Sequence, residues 1–141
     1  MNRKEITLAV MASAGTATFS PVQIQKLLFL VDENIGSQIG GKQFSFVPYD
    51  YGPFDVDVYR ELEALETEGA VAIGSNGRWK SYALTEDGVS RGKEVLNTLS
   101  PPIAEYLSQL VNWVRSLRFS ELVSQVYKMY PEMKANSVFK H

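Results

Sequence analysis

Apolar residues recur along most of this chain at intervals of three and four, the spacing that lines one face of an α-helix. The clearest case is Ile24, Leu27, Leu28, Val31 and Ile35, a continuous stripe that Phe29 and Leu30 widen until most of the circumference is apolar. A helix apolar on most sides belongs near the middle of a domain. Its start carries a capping box, Ser20 with Gln23, and Pro21 at the first helical position; Gly36 follows its last turn. Before it, Arg3 to Ala14 read as a shorter helix with Ile6, Val10 and Met11 on one face, ended by Gly15. After it, Gly40 to Pro53 read as a loop or short extended piece, with Phe44 and Phe46 alternating as in a small strand.

A second landmark is Pro48-Tyr49-Asp50-Tyr51-Gly52-Pro53-Phe54, which runs directly into an amphipathic segment. Pro53 pushes Gly52 away from α, and Gly52 tolerates angles that a side chain forbids. Asp55 then caps a third helix to about Glu68, with Asp57 in its first turn, where the macrodipole favours negative charge. Val58, Leu62 and Leu65, with Tyr59 beside them, face inward, and Gly69 stops the helix. Asn76-Gly77 between apolar runs predicts a hairpin with a two-residue type I′ turn. Pairing Ser75 with Arg78 sets Val71 against Tyr82 in the core and puts Trp79 on the opposite face, to be covered by later helices or by a partner.

Thr85 caps a fourth helix to about Leu99, with Val89, Val95, Leu96 and Leu99 as its stripe. Ser100-Pro101-Pro102 is the one composition break. Ile103, Leu107, Leu110, Val111, Val114 and Leu117 then make a fifth helix, and Ser120 caps a sixth with Val123, Val126 and Tyr127, ended by Tyr130-Pro131. The tail from Glu132 carries Val138 and Phe139 without a sustained period. Three helices and then a two-stranded hairpin is winged-helix order. The expected fold is mainly α (α+β): one domain over residues 1–141, with a winged-helix-like core to about residue 100, one hairpin wing and two added C-terminal helices.

Composition narrows the chemistry. With 141 residues, 45% hydrophobic and 21% charged, the chain has the make-up of an ordinary single globular domain. It has no cysteine, so disulfides and thiolate zinc sites are excluded, and a reducing, cytoplasmic setting fits. No apolar run approaches the length of a membrane span, and the start of the chain lacks a signal-peptide core. The single histidine, His141, is the last residue. There is no phosphate loop and no nucleophile elbow. Asp50, Asp55 and Asp57 could be imagined as an acidic metal or acid/base site, but two caps and a solvated turn residue account for them. No enzymatic activity, metal or cofactor is expected.

Gln25-Lys26-Leu27-Leu28-Phe29, Tyr51-Gly52-Pro53-Phe54 with Val58-Tyr59, Glu61-Leu62 and Tyr82-Ala83-Leu84-Thr85 together resemble the Panacea-domain family, the SocA-like antitoxins of bacterial and phage toxin–antitoxin systems. The likeness covers roughly residues 20 to 90, and the Tyr-Gly-Pro element with the preceding Leu-Leu is its specific part. The resemblance implies a compact helical domain that neutralises a partner toxin by direct contact, without enzymatic activity. It makes Lys26, Leu28, Gly52, Pro53 and Phe54 the structural motif.

The alternatives are a winged-helix transcriptional regulator and an orphan interaction domain of a mobile element. The overall charge of −2 does not favour nucleic acid. More directly, the third helix, which would have to enter the major groove, carries Asp55, Asp57, Glu61, Glu63, Glu66 and Glu68 against Arg60 alone. Affinity for DNA comes largely from Lys and Arg, so this helix would be repelled, and Arg78 and Lys80 on the wing do not offset it. Beyond Pro102 the balance turns positive, with Arg115, Arg118, Lys128, Lys134 and Lys140 against three glutamates, a dipole that bears on docking or homo-oligomerisation. The candidate partner-binding residues are Tyr49, Tyr51, Asp57, Tyr59, Arg60, Glu61 and Trp79, because interface hot spots favour Tyr, Trp and Arg.

Overall fold

A computed structural model describes residues 1–139; Lys140 and His141 lie outside the described residues. Among these residues six α-helices and two small antiparallel hairpins follow in the order α1 (Arg3–Ala12), α2 (Pro21–Ile35), β1 (Val47–Tyr49), β2 (Gly52–Phe54), α3 (Val56–Thr67), β3 (Val71–Asn76), β4 (Trp79–Leu84), α4 (Glu86–Asn97), α5 (Pro101–Ser116) and α6 (Phe119–Met129). The chain is mainly helical with a hairpin after α3, as the hydrophobic pattern predicts.

Helix α2 is the axis of the molecule. The Ser20–Gln23 capping box is formed in both directions, and Ile24, Leu27, Leu28, Phe29, Leu30 and Val31 are all buried. Leu107, Val111 and Val114 of α5 and Leu122 and Val126 of α6 join the same apolar cluster, so the C-terminal helices complete the core around α2. Ahead of α2, Phe19 exchanges two backbone hydrogen bonds with Tyr82 of β4, 2.7 and 3.0 Å long, and so pins the helix start to the wing. At the other end, buried Asp32 accepts the backbone N–H groups of Gln43 and Phe44, each at 3.0 Å, and ties down the following loop.

Several local expectations change. Phe44 and Phe46 lie in irregular chain, and the extended piece is instead the hairpin β1–β2, turning at Asp50-Tyr51. Its sequence hides it: Pro48 pairs with Pro53, and prolines have no N–H for a ladder. In β3–β4 the turn sits at Gly77-Arg78, and Asn76 pairs with Trp79. Among the described residues only glycines take positive φ, so the type I′ turn, which needs it at two consecutive positions, gives way to one with glycine first. The register moves by two residues, which keeps every side chain on its expected face. Tyr82 is therefore buried as predicted, but opposite Ile73, while Val71 pairs with Leu84.

Helix α6 starts two residues earlier than predicted, with Arg118 as its cap, whose backbone N–H donates to Glu121. Ser100-Pro101-Pro102 starts α5 directly, its prolines occupying the first turn, where no N–H is missed. Helix α4 docks by its glycines: Gly88 and Gly92 are its buried residues, and Val89, Val95 and Leu96 are partly buried.

Candidate functional site

The first two turns of α2, the β1–β2 hairpin and the start of α3 meet around a cleft of about 580 Å³. One polar clip holds the three together. Gln25 is buried; its Nε2 donates to the Asp55 carbonyl at 2.9 Å, and its Oε1 accepts the Asp55 N–H at 3.0 Å. The Asp55 carboxylate in turn accepts the N–H groups of Asp57 and Ser45, each at 2.8 Å, so the cap of α3 is locked to α2 and to the preceding loop. Asp55 is thus a capping residue with both oxygens engaged.

The hairpin closes over α2 because of Gly52. Its φ is +105°, a conformation that L side chains rarely adopt, and it is buried. A Cβ there would stand 3.2 Å from a ring carbon of Tyr127 and 3.5 Å from Nζ of Lys26. Backbone conformation and space both require glycine. The tail adds to the arrangement: Val138 N–H donates to the Asp50 carbonyl at 2.9 Å, and Asn136 to that of Pro48 at 3.2 Å.

The cleft walls are aromatic: Tyr49, Tyr51, Phe54, Tyr59, Trp79 and Phe119. Tyr49 stacks on Phe54 at 4.8 Å, Phe54 meets the edge of Tyr59 at 5.8 Å, and Tyr51 meets Phe119 at 5.1 Å. Within these pairs each ring holds its neighbour in place. Trp79 is 64% exposed and Tyr49 51%. Of the two coverings expected for Trp79, the later helices do not supply one: α6 brings Phe119 to the same cleft, yet Trp79 stays largely in solvent.

Lys26 supplies the cleft's cation. It is 3% exposed, among the most buried polar residues of the protein. Desolvation pulls its ammonium down to a pKa of about 7, and among the described residues no carboxylate or hydrogen-bond acceptor opposes it. The groups that share its surroundings are Asp50, Tyr49 and Tyr51 of the hairpin, Tyr59 of α3 and Tyr127 of α6. Burial raises the hydroxyl pKa values of Tyr59 and Tyr127, so both stay neutral at physiological pH.

Four of the seven candidate partner-binding residues, Tyr49, Tyr51, Tyr59 and Trp79, therefore converge on one cleft. Asp57, Arg60 and Glu61 lie outside it. Asp57 is held by Arg3 at 3.0 Å and Arg60 at 2.8 Å, which keep its carboxyl below the ordinary range. Glu61 is half-buried along α3. Of the motif residues, Lys26, Gly52, Pro53 and Phe54 line the cleft, and Leu28 lies in the core beneath. Sequence reasoning missed Gln25 and Phe119 as site residues. Gln25 did carry a signal, as an amide adjoining a lysine inside an apolar helix; Phe119 carried none, because only the packing of α6 brings it to Tyr51. Comparison of the chain with protein-family models, with curated proteins and with solved structures finds no match.

Proposed function

We propose that this protein is a cytoplasmic, non-enzymatic binding module, an antitoxin or adaptor of the Panacea-domain kind, which neutralises a partner toxin by taking part of it into the aromatic cleft. The observation that carries this reading is the cleft itself: preordered rings, with Trp79 and Tyr49 left largely in solvent. Large aromatics in such a setting give binding energy at little conformational cost. The residues behind the resemblance support it as well, since Lys26, Tyr51-Gly52-Pro53-Phe54 and Tyr59 come together along this one cleft.

A DNA-reading role draws on the order α1, α2, α3, wing and on exposed Arg78 and Lys80. It meets the acidic surface of α3, where Glu63 and Glu66 are exposed. Further, no helix among the described residues is long and apolar enough to cross a membrane. The test is co-expression with the product of the adjoining reading frame. Growth arrest by that product, relieved by the wild-type protein and not by a Trp79→Ala variant of unchanged thermal stability, is the expected result. Sequence-selective retardation of its own promoter by the protein alone, with no rescue of growth, overturns the proposal in favour of the regulator. A harmless neighbour that does not co-purify overturns it in favour of an orphan interaction domain.

A further inference from the structure

The fold buries one charged group that it does not use. Ser20 is committed to its capping box and Gln25 to Asp55. The Lys26 ammonium lines the same cleft at the edge of solvent; the residue is almost wholly buried, and no acceptor for it is found among the described residues. Leaving a cation desolvated and unpaired is costly, and a fold that kept the position only for packing would be served better by methionine. Given the binding function proposed above, we propose that Lys26 receives the C-terminal carboxylate of the partner protein, whose last side chain fills the cleft between Tyr49, Tyr51, Phe54 and Trp79.

Charge selects the ligand class. Among the described residues one ammonium faces the cleft, no arginine or second lysine lines it, and Asp50 stands on its wall. Beside one ammonium and the Asp50 carboxylate, a monoanionic carboxylate leaves less uncompensated charge than a phosphate dianion does. Polar capacity selects the chain end over an internal acidic residue. A segment running through would bring a peptide group on each side of its Asp or Glu into aromatic walls that offer few donors. A chain end brings its charge, one peptide group and one side chain. The cleft volume of about 580 Å³ accommodates a residue and its neighbour. Because the free amine titrates near neutrality, pairing it with a carboxylate restores its charge, and above neutral pH binding takes up a proton.

The experiment uses the full chain and four probes: N-acetyl-Leu-Phe as the free acid, the same dipeptide as its amide, N-acetyl-Phe-Glu-Phe-amide and 3-phenylpropionate. Binding is followed through the backbone amide resonances of Gln25, Lys26, Gly52 and Trp79. The free acid is expected to bind about tenfold more tightly than each of the other three. Its advantage over the amide should fall by about tenfold per pH unit above neutrality and vanish in Lys26→Met. Equal binding of acid and amide, no binding of the acid, or a preference that survives in Lys26→Met overturns the carboxylate site. Equal binding of 3-phenylpropionate or of the internal-Glu peptide overturns the chain-end assignment. Toxin neutralisation separates this inference from the reading beneath it: loss in Trp79→Ala with full activity in Lys26→Met keeps the binding module and discards the anion anchor.

Discussion

Gly52 lies against the amine of Lys26, so close that a methyl group on the glycine would stand 3.5 Å from Nζ. The hairpin thereby seals a lysine under backbone instead of under a side chain. Gly52→Ala should destabilise the domain by about 1–3 kcal/mol in urea unfolding, from backbone strain at positive φ together with contact on Tyr127. Gly41→Ala separates the two causes, because Gly41 has nearly the same φ, +107°, and nothing near its missing Cβ. The Gly52 variant should lose more stability than the Gly41 variant and should alone shift the resonances of Lys26 and Tyr127. Equal losses would mean that the space beside Lys26 does not matter.

Stability should rise with pH on the alkaline side of neutrality. The Lys26 pKa falls from 10.5 to about 7 on folding, so between those values the unfolded chain binds more protons than the folded one. Unfolding free energy then increases with pH across that window, at up to about 1.4 kcal/mol per pH unit. Lys26→Met should remove the slope and raise stability at neutral pH. The measurement is chemical denaturation between about pH 7 and 9, below the range where tyrosines ionise. A flat wild-type profile would show that the amine is hydrated in solution.

Helix α4 should reject a better helix former. Alanine is favoured over glycine in helices by up to about 1 kcal/mol, yet a Cβ on Gly92 would lie 2.5 Å from Leu8 O and from the Ala12 side chain. At Gly88 it would lie 2.0 Å from the Ala70 carbonyl oxygen. Each Gly→Ala change should therefore destabilise by about 1–3 kcal/mol or more, as overpacking does. A rise in melting temperature for either variant would show that α4 can move off α1 and Ala70 without loss.

At the acid end, Glu68 is bonded by Lys4 and by Arg91, and Asp57 by Arg3 and Arg60; all four hold the two carboxyls below their ordinary range. Depressed folded-state values mean that stability is present above the ordinary carboxylate pKa and is lost as pH falls through the folded one. Buried Asp32 works in the opposite sense, its pKa raised by desolvation. Asp57→Asn combined with Glu68→Gln should lower stability at neutral pH and reduce the loss on acidification, read as melting temperature across the acid range. An unchanged acid profile would assign acid sensitivity to other groups.

The helices were legible in the sequence because their causes are local: a capping box at Ser20, an apolar stripe from Ile24 to Ile35, glycines or prolines at the ends. The central place of α2 followed from the same residues, since a helix apolar on most sides has nowhere else to go. The β1–β2 hairpin was not legible, because its paired prolines suppress the local strand signal and its closure depends on Lys26 and Tyr127, which are distant in sequence from one another. The register of β3–β4 turned on a choice between two glycine-compatible turns that the strand pattern alone leaves nearly equal.

For the site, the residue types were visible and their arrangement was not. Tyr49, Tyr51, Tyr59 and Trp79 stood out singly as aromatics, read from chemistry within one segment, and Lys26 only through the resemblance to a family motif. That they share one cleft, with Lys26 buried and unpaired within it and Trp79 uncovered, depends on how α2, β1–β2, α3 and the wing pack. Burial and desolvation belong to the assembled molecule: a lysine between a glutamine and a leucine has an ordinary pKa until the chain around Gly52 folds over it and strips most of its water.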